Sequence, residues 1–212
     1  MPTVKAAVAG AGFDCNTPLN AAQAAAFKAQ GMEFVVRYVP RTPALIPGNL
    51  TAAEIEIILS AGLALMAVQH VAMPGWEPGA ALGTNYGAYA ASYAKTIGLP
   101  PGINLWCDLE EVAASSTTQQ VIDYCAAWFT AVSEAGYIPG LYCGWNIILT
   151  AQQIYDLPFK HYWKAYNYDN GVATRGFQLI QEPQLRLNGV VYDPNKCQAD
   201  ELGDLPVWLS PS

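Results

Sequence analysis

Short apolar segments alternate with helix-patterned segments along nearly the whole chain. The most continuous apolar runs, residues 34–36 and 63–68, lack the alternation of polar and apolar positions that half-exposed strands show. Strands without that alternation are typical of a parallel sheet covered by helices on its faces. Eight such strands are predicted, over residues 11–15, 33–39, 63–71, 104–110, 138–144, 162–168, 177–182 and 190–195.

The segments between these strands carry helix start and stop signals. Thr51 and Glu54 have the spacing of a capping box, and the helix that they begin is expected to end at Gly62. Thr17 is expected to cap the first helix, which ends at Gly31. The last three strands leave little room for helices between them. We therefore predict an α/β fold, a single (β/α)₈ TIM-type barrel domain over residues 1–212 with abbreviated helices in its last third.

Composition narrows the classes of partner. Charged residues make up only 13% of the chain, and the net charge is −7. This charge argues against nucleic acid and against an anionic membrane surface, whereas a neutral, hydroxyl-rich partner such as a glycan suits it. No apolar run is long enough to span a membrane, so no membrane insertion is expected. We expect a monomer.

The amino-terminal segment and the cysteines add little chemistry. Residues 1–12 are too short for a signal peptide, so the location stays open, with the cell envelope or the exterior as the expected site of action. Five cysteines without a C-x-x-C pair, beside two histidines, argue against a metal site, and no cofactor is expected. Cys15 and Cys197 follow the first and last strands, so a disulfide between them stays open. Cys107 and Cys143 are expected to be buried and unpaired.

Acidic residues recur at the ends of predicted strands, where the chemistry of a barrel belongs. Asp14 ends the first strand, Asp108 and Glu110 end the fourth, and Asp193 ends the eighth. Asp108 and Glu110 share one face of their strand, about 6.6 Å apart. Crowded carboxylates cannot all ionise, so at least one pKa should rise. A raised-pKa acid beside an ionised partner is what cleavage of a glycosidic bond requires.

Aromatic and polar side chains near the same strand ends are candidates for contacts with a sugar, because rings offer large contact areas with a polar handle. Trp76 is expected on a mobile loop at the rim of the barrel. Arg37 is expected either beside Asp14 as a structural ion pair or in contact with substrate. The predicted substrate-binding residues are Arg37, Tyr38, Gln69, Trp76, Tyr142, Trp163, Tyr166 and Gln178.

Short motifs in order along the chain resemble a known family. They are Gly12-Phe13-Asp14, Arg37-Tyr38, Asp108-x-Glu110, Pro139-Gly140-Leu141-Tyr142, Trp163-Lys164-Ala165-Tyr166, Phe177-Gln178 and Tyr192-Asp193-Pro194-Asn195. Together they resemble the glycoside hydrolase-like domain of bacterial and phage proteins, which is related to the family-25 lysozymes (N-acetylmuramidases). The resemblance implies that Glu110 is the general acid and that Asp108 positions or stabilises the oxocarbenium-like centre, with Asp14 and Asp193 completing the acidic set. Strand three departs from the lysozymes with Gln69-His70, and strand seven has Phe177-Gln178 where they tend to have Trp-Gln.

Two hypotheses from different classes follow. The first is a glycoside hydrolase that acts on peptidoglycan or a related N-acetylated glycan. The second is a non-catalytic glycan-binding barrel that localises a cell-wall or phage-associated assembly. A cysteine-dependent enzyme fails because no well-placed Cys/His pair exists. The first two hypotheses share one groove, so the sequence alone does not separate them.

Overall fold

The computed structural model describes residues 1–211, which form eleven strands and five helices. The strands are β1 (Thr3–Ala6), β2 (Gly10–Cys15), β3 (Phe34–Val39), β4 (Ala64–Gln69), β5 (Asn104–Leu109), β6 (Ile138–Cys143), β7 (His161–Lys164), β8 (Leu179–Gln181), β9 (Leu185–Leu187), β10 (Val190–Cys197) and β11 (Val207–Ser210). The helices are α1 (Ala21–Ala29), α2 (Ala52–Ser60), α3 (Ala80–Thr96), α4 (Thr118–Glu134) and α5 (Ala151–Tyr155). All eight predicted strands are present.

Eight of these strands close a barrel in the order β4-β3-β2-β10-β8-β7-β6-β5, with β5 pairing back to β4. The predicted α/β barrel is therefore confirmed. One strand differs, because β10 runs antiparallel to both β2 and β8. A parallel return needs a crossover of a dozen or more residues, and β8 and β10 are separated only by residues 182–189. The chain instead turns at Asn188 and Gly189, both at positive φ, into the β9–β10 hairpin.

The antiparallel strand decides where two predicted features lie. Asp193 pairs with Asp14, so it stays at the rim formed by the carboxyl ends of the parallel strands. Cys197 pairs with Gly10 at the opposite end of β2 from Cys15. Both thiols are buried and free within residues 1–211, so the Cys15–Cys197 disulfide left open above does not form. Cys107 and Cys143 are buried and unpaired, as expected.

The helix caps largely follow the sequence, with two differences. Thr51 caps α2 by accepting a hydrogen bond from the Glu54 amide, but the Glu54 carboxylate turns away to another partner. Helix α1 is capped by Asn20, which forms a capping box with Gln23, and not by Thr17. The abbreviated helices are confirmed, since no helix follows α5 in the described chain.

The amino end of the barrel is covered by β1 and β11, which were not predicted from the sequence. They pair with each other, and β11 also pairs with the amino end of β4 through Leu209 and Leu65. Trp208 is buried there against Phe34. This end is therefore packed, which leaves the carboxyl rim as the open end of the barrel. Among residues 1–211, every helix is too short or too polar to cross a bilayer.

Candidate active site

A cleft of about 360 Å³ opens at the carboxyl rim of the barrel. Two carboxylates line it, Glu110 from the end of β5 and Asp193 from β10. Asp14 and Asp108 lie beneath, nearly without exposure to solvent. The other lining residues are Tyr38, Tyr142, Tyr166, Asn167, Gln181, Pro183 and Gln184. The four acidic residues selected from the sequence are thus brought to one end of the barrel.

Asp14 is held by three neutral donors. Its Oδ2 accepts hydrogen bonds from Gln181 Nε2 at 3.0 Å and from Asn195 Nδ2 at 2.7 Å, and its Oδ1 accepts one from Tyr38 Oη at 3.2 Å. Burial raises the pKa of Asp14 to about 7, and the charge of Asp193 adds to the rise, while the hydrogen bonds oppose it. Asp14 is therefore a fixed carboxyl that changes protonation near neutral pH.

Asp108 and Glu110 are two further carboxyls with raised pKa. Burial, then the charges of Glu110 and Asp14, hold the pKa of Asp108 well above its ordinary value, and its Oδ1 has no hydrogen-bond partner within residues 1–211. Burial, then the charges of Glu111 and Asp14, raise the pKa of Glu110 to about 7. No Lys, Arg or His is among the described residues that line the cleft. Nor do residues 1–211 contain a cluster of His, Cys, Asp and Glu suited to a metal ion. The cleft therefore holds at least one proton near neutral pH.

The position of Glu110 is fixed by its neighbours on both sides. Trp76 Nε1–H donates to the Glu110 carbonyl at 2.8 Å, and the Glu111 amide donates to the Trp145 carbonyl at 2.8 Å. Glu111 adopts φ 54°, a left-handed conformation that non-glycine residues rarely take. A Cβ at Gly144 would lie 2.4 Å from Glu110 Cβ and 2.5 Å from its Oε2. Only glycine at 144 leaves room for the carboxyl in this position.

Three of the predicted substrate-binding aromatics line the cleft. Tyr38 and Tyr142 form its floor, each with its hydroxyl engaged, Tyr38 by Asp14 and Tyr142 by Gln181 at 3.0 Å. Tyr166 stands at the edge with 58% of its surface exposed. The exposed ring of Tyr166 is therefore available to a ligand, whereas the two floor tyrosines also maintain the hydrogen bonds around Asp14.

Arg37 does not reach the cleft, which corrects both expectations for it. Its guanidinium is fully buried on the helix side of β3, where Nε donates to Glu54 Oε1 at 2.7 Å. It also donates to the carbonyls of Cys15 and Gly48. Successive strand residues face opposite sides, and Tyr38 faces the lumen, so Arg37 must face the helices. Its ion-pair partner is Glu54 and not Asp14.

Gln69 and Gln178 are also placed away from the cleft, which corrects their assignment as substrate contacts. Gln69 is fully buried toward the helix layer, where its Oε1 accepts a hydrogen bond from the Trp128 indole at 2.6 Å. Gln178 lies before β8 at the amino end of the barrel, where it binds the Tyr162 amide and the Asp200 carboxylate. Both amides satisfy buried polar groups of the framework.

Two tryptophans act from behind the cleft instead of lining it. Trp163 is fully buried in the barrel interior, and its indole donates to Asn195 Oδ1 at 2.7 Å, so it orients the amide that holds Asp14. Trp76 packs edge-on against Tyr124 and binds the Glu110 carbonyl. Trp76 lies on the rim loop after β4, as expected, but it is half-buried and does not line the cleft, which corrects its assignment as a substrate contact. Its loop is bonded to the segment after β5.

Several residues of this region were not among those predicted from the sequence. Asn195 shares a face with Asp193 by the two-residue period of a strand, so the sequence could have identified it. Gln181 lies one residue before the end of a predicted strand and could have been selected as Asp14 was. Gly144 and Glu111 carried no signal, because the close approach at one and the left-handed backbone at the other arise from contacts between loops.

Comparisons with known proteins agree with this architecture. The sequence model of the Rv2525c-like, glycoside hydrolase-like domain matches residues 25–195. No curated protein sequence matches the chain. The Mycobacterium tuberculosis Tat-secreted protein Rv2525c is similar in structure, with a TM-score of 0.69 and 16% identity over 92% of this chain and 98% of its own.

Two further solved structures share the fold. The catalytic domain of endolysin ply40, from bacteriophage P40 of Listeria monocytogenes, has a TM-score of 0.66 and 19% identity over 92% of this chain and 95% of its own. A family GH25 lysozyme from Aspergillus fumigatus has a TM-score of 0.53 and 13% identity over 91% of this chain and 95% of its own. At these identities the likeness concerns the fold.

Proposed function

The chain belongs to the Rv2525c-like, glycoside hydrolase-like domain family, and from that premise we propose that it is a glycoside hydrolase with Glu110 as its general acid. Its substrate is peptidoglycan or a related N-acetylated glycan. The observation that carries the proposal is that Glu110, with a pKa of about 7, lines a cleft whose described lining residues include no Lys, Arg or His. A carboxyl of this kind is protonated when substrate arrives and can give its proton to the leaving oxygen.

The other carboxyls have distinct roles in this mechanism. As the glycosidic bond breaks, positive charge develops on the sugar ring, and an adjacent cation favours the ionised form of a carboxyl. Asp108, whose Oδ1 has no hydrogen-bond partner among residues 1–211, stabilises that charge in its ionised form. Water then adds to the sugar carbon, and the proton that it releases restores the acid form of Glu110. Asp14 fixes the floor of the cleft through its hydrogen bonds with Gln181 and Asn195. Asp193 also lines the cleft, and its strand β10 lies four strands from β5 around the barrel, so it contributes negative charge from the other side.

One observation favours the alternative of a glycan-binding barrel without catalysis. Asp108 is only 4% exposed and does not line the cleft, so substrate would have to displace neighbouring side chains to meet it directly. In that alternative Glu110, Asp193 and the exposed ring of Tyr166 would orient a bound glycan without breaking it.

The test measures clearing of a suspension of purified bacterial cell walls, together with a pull-down on the same walls. Wild type should clear the suspension, and Glu110→Gln should clear it roughly 10²–10⁴-fold more slowly while still sedimenting with the walls. Glu56→Gln, the same chemical change at an exposed position of α2, is the matched control and should clear normally. Equal clearing by Glu110→Gln would show that another group is the acid. Sedimentation without clearing by wild type would establish the binding barrel.

A further inference from the structure

We propose that a second hollow beside the cleft is a subsite for one neutral sugar unit of the glycan, with Trp145 as its platform. This inference rests on the proposed function and extends it, because it assigns a ligand to residues outside the acidic cleft. The hollow measures about 200 Å³, the scale of one sugar ring and not of a chain. Its lining residues are Trp145, Asn146, Ile147, Ile148, Asn167, Tyr168, Asp169 and Asn170.

The first observation is an exposed indole on a fixed loop. Trp145 has 57% of its surface exposed, although its own carbonyl is bound by the Glu111 amide. The next residue, Asn146, is left-handed at φ 58°, and its Nδ2 donates to the Val112 carbonyl at 3.1 Å. Ile148 is left-handed as well, at φ 54°. The loop thus holds a large aromatic face in solvent at the cost of backbone strain, and a preformed platform loses little entropy when a ligand binds.

The second observation is continuity with the cleft. Asn167 lines both the cleft and the hollow. Trp145 follows Gly144, where an added Cβ would lie 2.5 Å from Glu110 Oε2. Tyr166, the exposed ring at the edge of the cleft, precedes Asn167 on the facing loop. A glycan that passes over Glu110 and Tyr166 therefore continues into the hollow.

The chemistry of the lining selects the ligand. An aromatic face beside a few polar groups is the usual composition of a small-ligand site, and the amides of Asn167 and Asn170 can pair with hydroxyl or acetamido groups. Asp169 is the one charged residue among the described lining residues. With no cation opposite it, an anionic peptide substituent is disfavoured, and a neutral N-acetylhexosamine fits the hollow.

The test measures affinity for neutral N-acetylglucosamine oligomers of increasing length, by calorimetry, in the Glu110→Gln background so that the ligand stays intact. Affinity should rise with length. Adding Trp145→Ala should remove that gain, a loss of roughly tenfold for long oligomers, and leave the shortest binding oligomer unaffected. Adding Tyr166→Ala should weaken all lengths, because Tyr166 belongs to the cleft. Leu185→Ala is the control: Leu185 has a similar exposure, 53%, but lies on β9, so its replacement should change nothing.

If Trp145→Ala leaves the gain with length intact, the hollow is not a subsite, while the hydrolase proposal stands on the wall-clearing assay. If no neutral oligomer binds at any length, the assignment of a neutral sugar is overturned. Wall clearing by wild type in that case would keep the hydrolase proposal and separate the two failures.

Discussion

Two sets of buried carboxyl groups lie on opposite sides of the same barrel wall. On the helix side, the Glu54 carboxylate is fully paired, with Arg37 Nε at 2.7 Å and the Leu19 amide at 2.8 Å. On the lumen side, Asp14 has only neutral donors and Asp108 retains an oxygen without a partner. Arg37 is one strand away from Asp14, yet its charge is directed to Glu54.

The difference shows how the fold separates stability from chemistry. A buried charge is tolerated when an opposite charge and hydrogen bonds replace water, as they do around Glu54. The lumen set lacks this compensation, so its members respond by holding protons, and perturbed carboxyls of this kind cluster at functional sites. The helix-side pair stabilises the wall, and the lumen set is free to exchange protons with a ligand.

The largest expected effect comes from breaking the paired side. Arg37→Met keeps an unbranched side chain but leaves Glu54 buried without its counter-charge, so unfolding in urea should show a loss of about 3–5 kcal/mol. Adding Glu54→Gln to Arg37→Met removes the uncompensated charge and should restore part of that loss.

The matched control for this prediction is Lys28→Met. It breaks the ion pair with Glu33, whose side chain is 48% exposed, and should change stability by less than about 1 kcal/mol. A loss for Arg37→Met no greater than for Lys28→Met would mean that the buried pair contributes no more than a surface pair.

The lumen side should respond to pH in the opposite sense from a paired acid. The folded-state pKa of Asp14 is about 7, against 3.8 ordinarily, so the folded protein holds this proton where the unfolded chain has released it. Stability contributed by protonated Asp14 is therefore present at about pH 4 and is lost as the pH rises toward 7. Asp14→Asn mimics the neutral form, so its stability relative to wild type should grow over this window, by up to about 4 kcal/mol.

This difference between Asp14→Asn and wild type is the quantity to measure, as melting temperature against pH. Groups that do not interact with Asp14 cancel in it, including His70 and His161, whose pKa burial lowers to about 4 and which titrate in the same range. Asp108 and Glu110 do not cancel, because the charge of Asp14 raises the pKa of both. A difference that stays constant from pH 4 to pH 7.5 would show that Asp14 is ionised throughout.

The sequence predicted the barrel because its strands are buried on both faces and therefore stand out as apolar runs. It also selected the four rim carboxylates, since strand ends and the two-residue period are readable without coordinates. Parity could have excluded one assignment, because Arg37 and Tyr38 are neighbours on a strand and cannot both face the lumen. The Asn188-Gly189 pair is likewise a hairpin signal that indicates the reversed last strand.

Other features depend on contacts that no local pattern encodes. The partner of Arg37 depends on how α2 packs against β3, which brings Glu54 to the guanidinium. From the sequence, the position of Glu54 three residues after Thr51 already accounted for it as a capping residue. The exposed face of Trp145 follows from two left-handed residues in one loop, which the sequence Trp145-Asn146-Ile147-Ile148 does not announce. β1 and β11 are short, and β1 is exposed throughout, so apolar runs did not mark them.

The smallest expected effect concerns the hydrogen bond that positions Glu110 in the cleft. Trp76→Phe retains a ring against Tyr124 but removes the N–H that binds the Glu110 carbonyl, so stability should fall by about 1 kcal/mol, or roughly 2–4 °C in melting temperature. If that bond positions Glu110, kcat for wall hydrolysis should fall and its pH profile shift, while KM changes little.

Tyr93→Phe is the control. It removes a comparable bond, to the Leu50 carbonyl at 3.0 Å, and should lose similar stability without any change in turnover. An equal loss of turnover in both variants would mean that general loosening, and not the aim of Glu110, accounts for the effect. Retention of the full kcat and pH profile by Trp76→Phe would show that Gly144 and the left-handed Glu111 suffice to hold the acid.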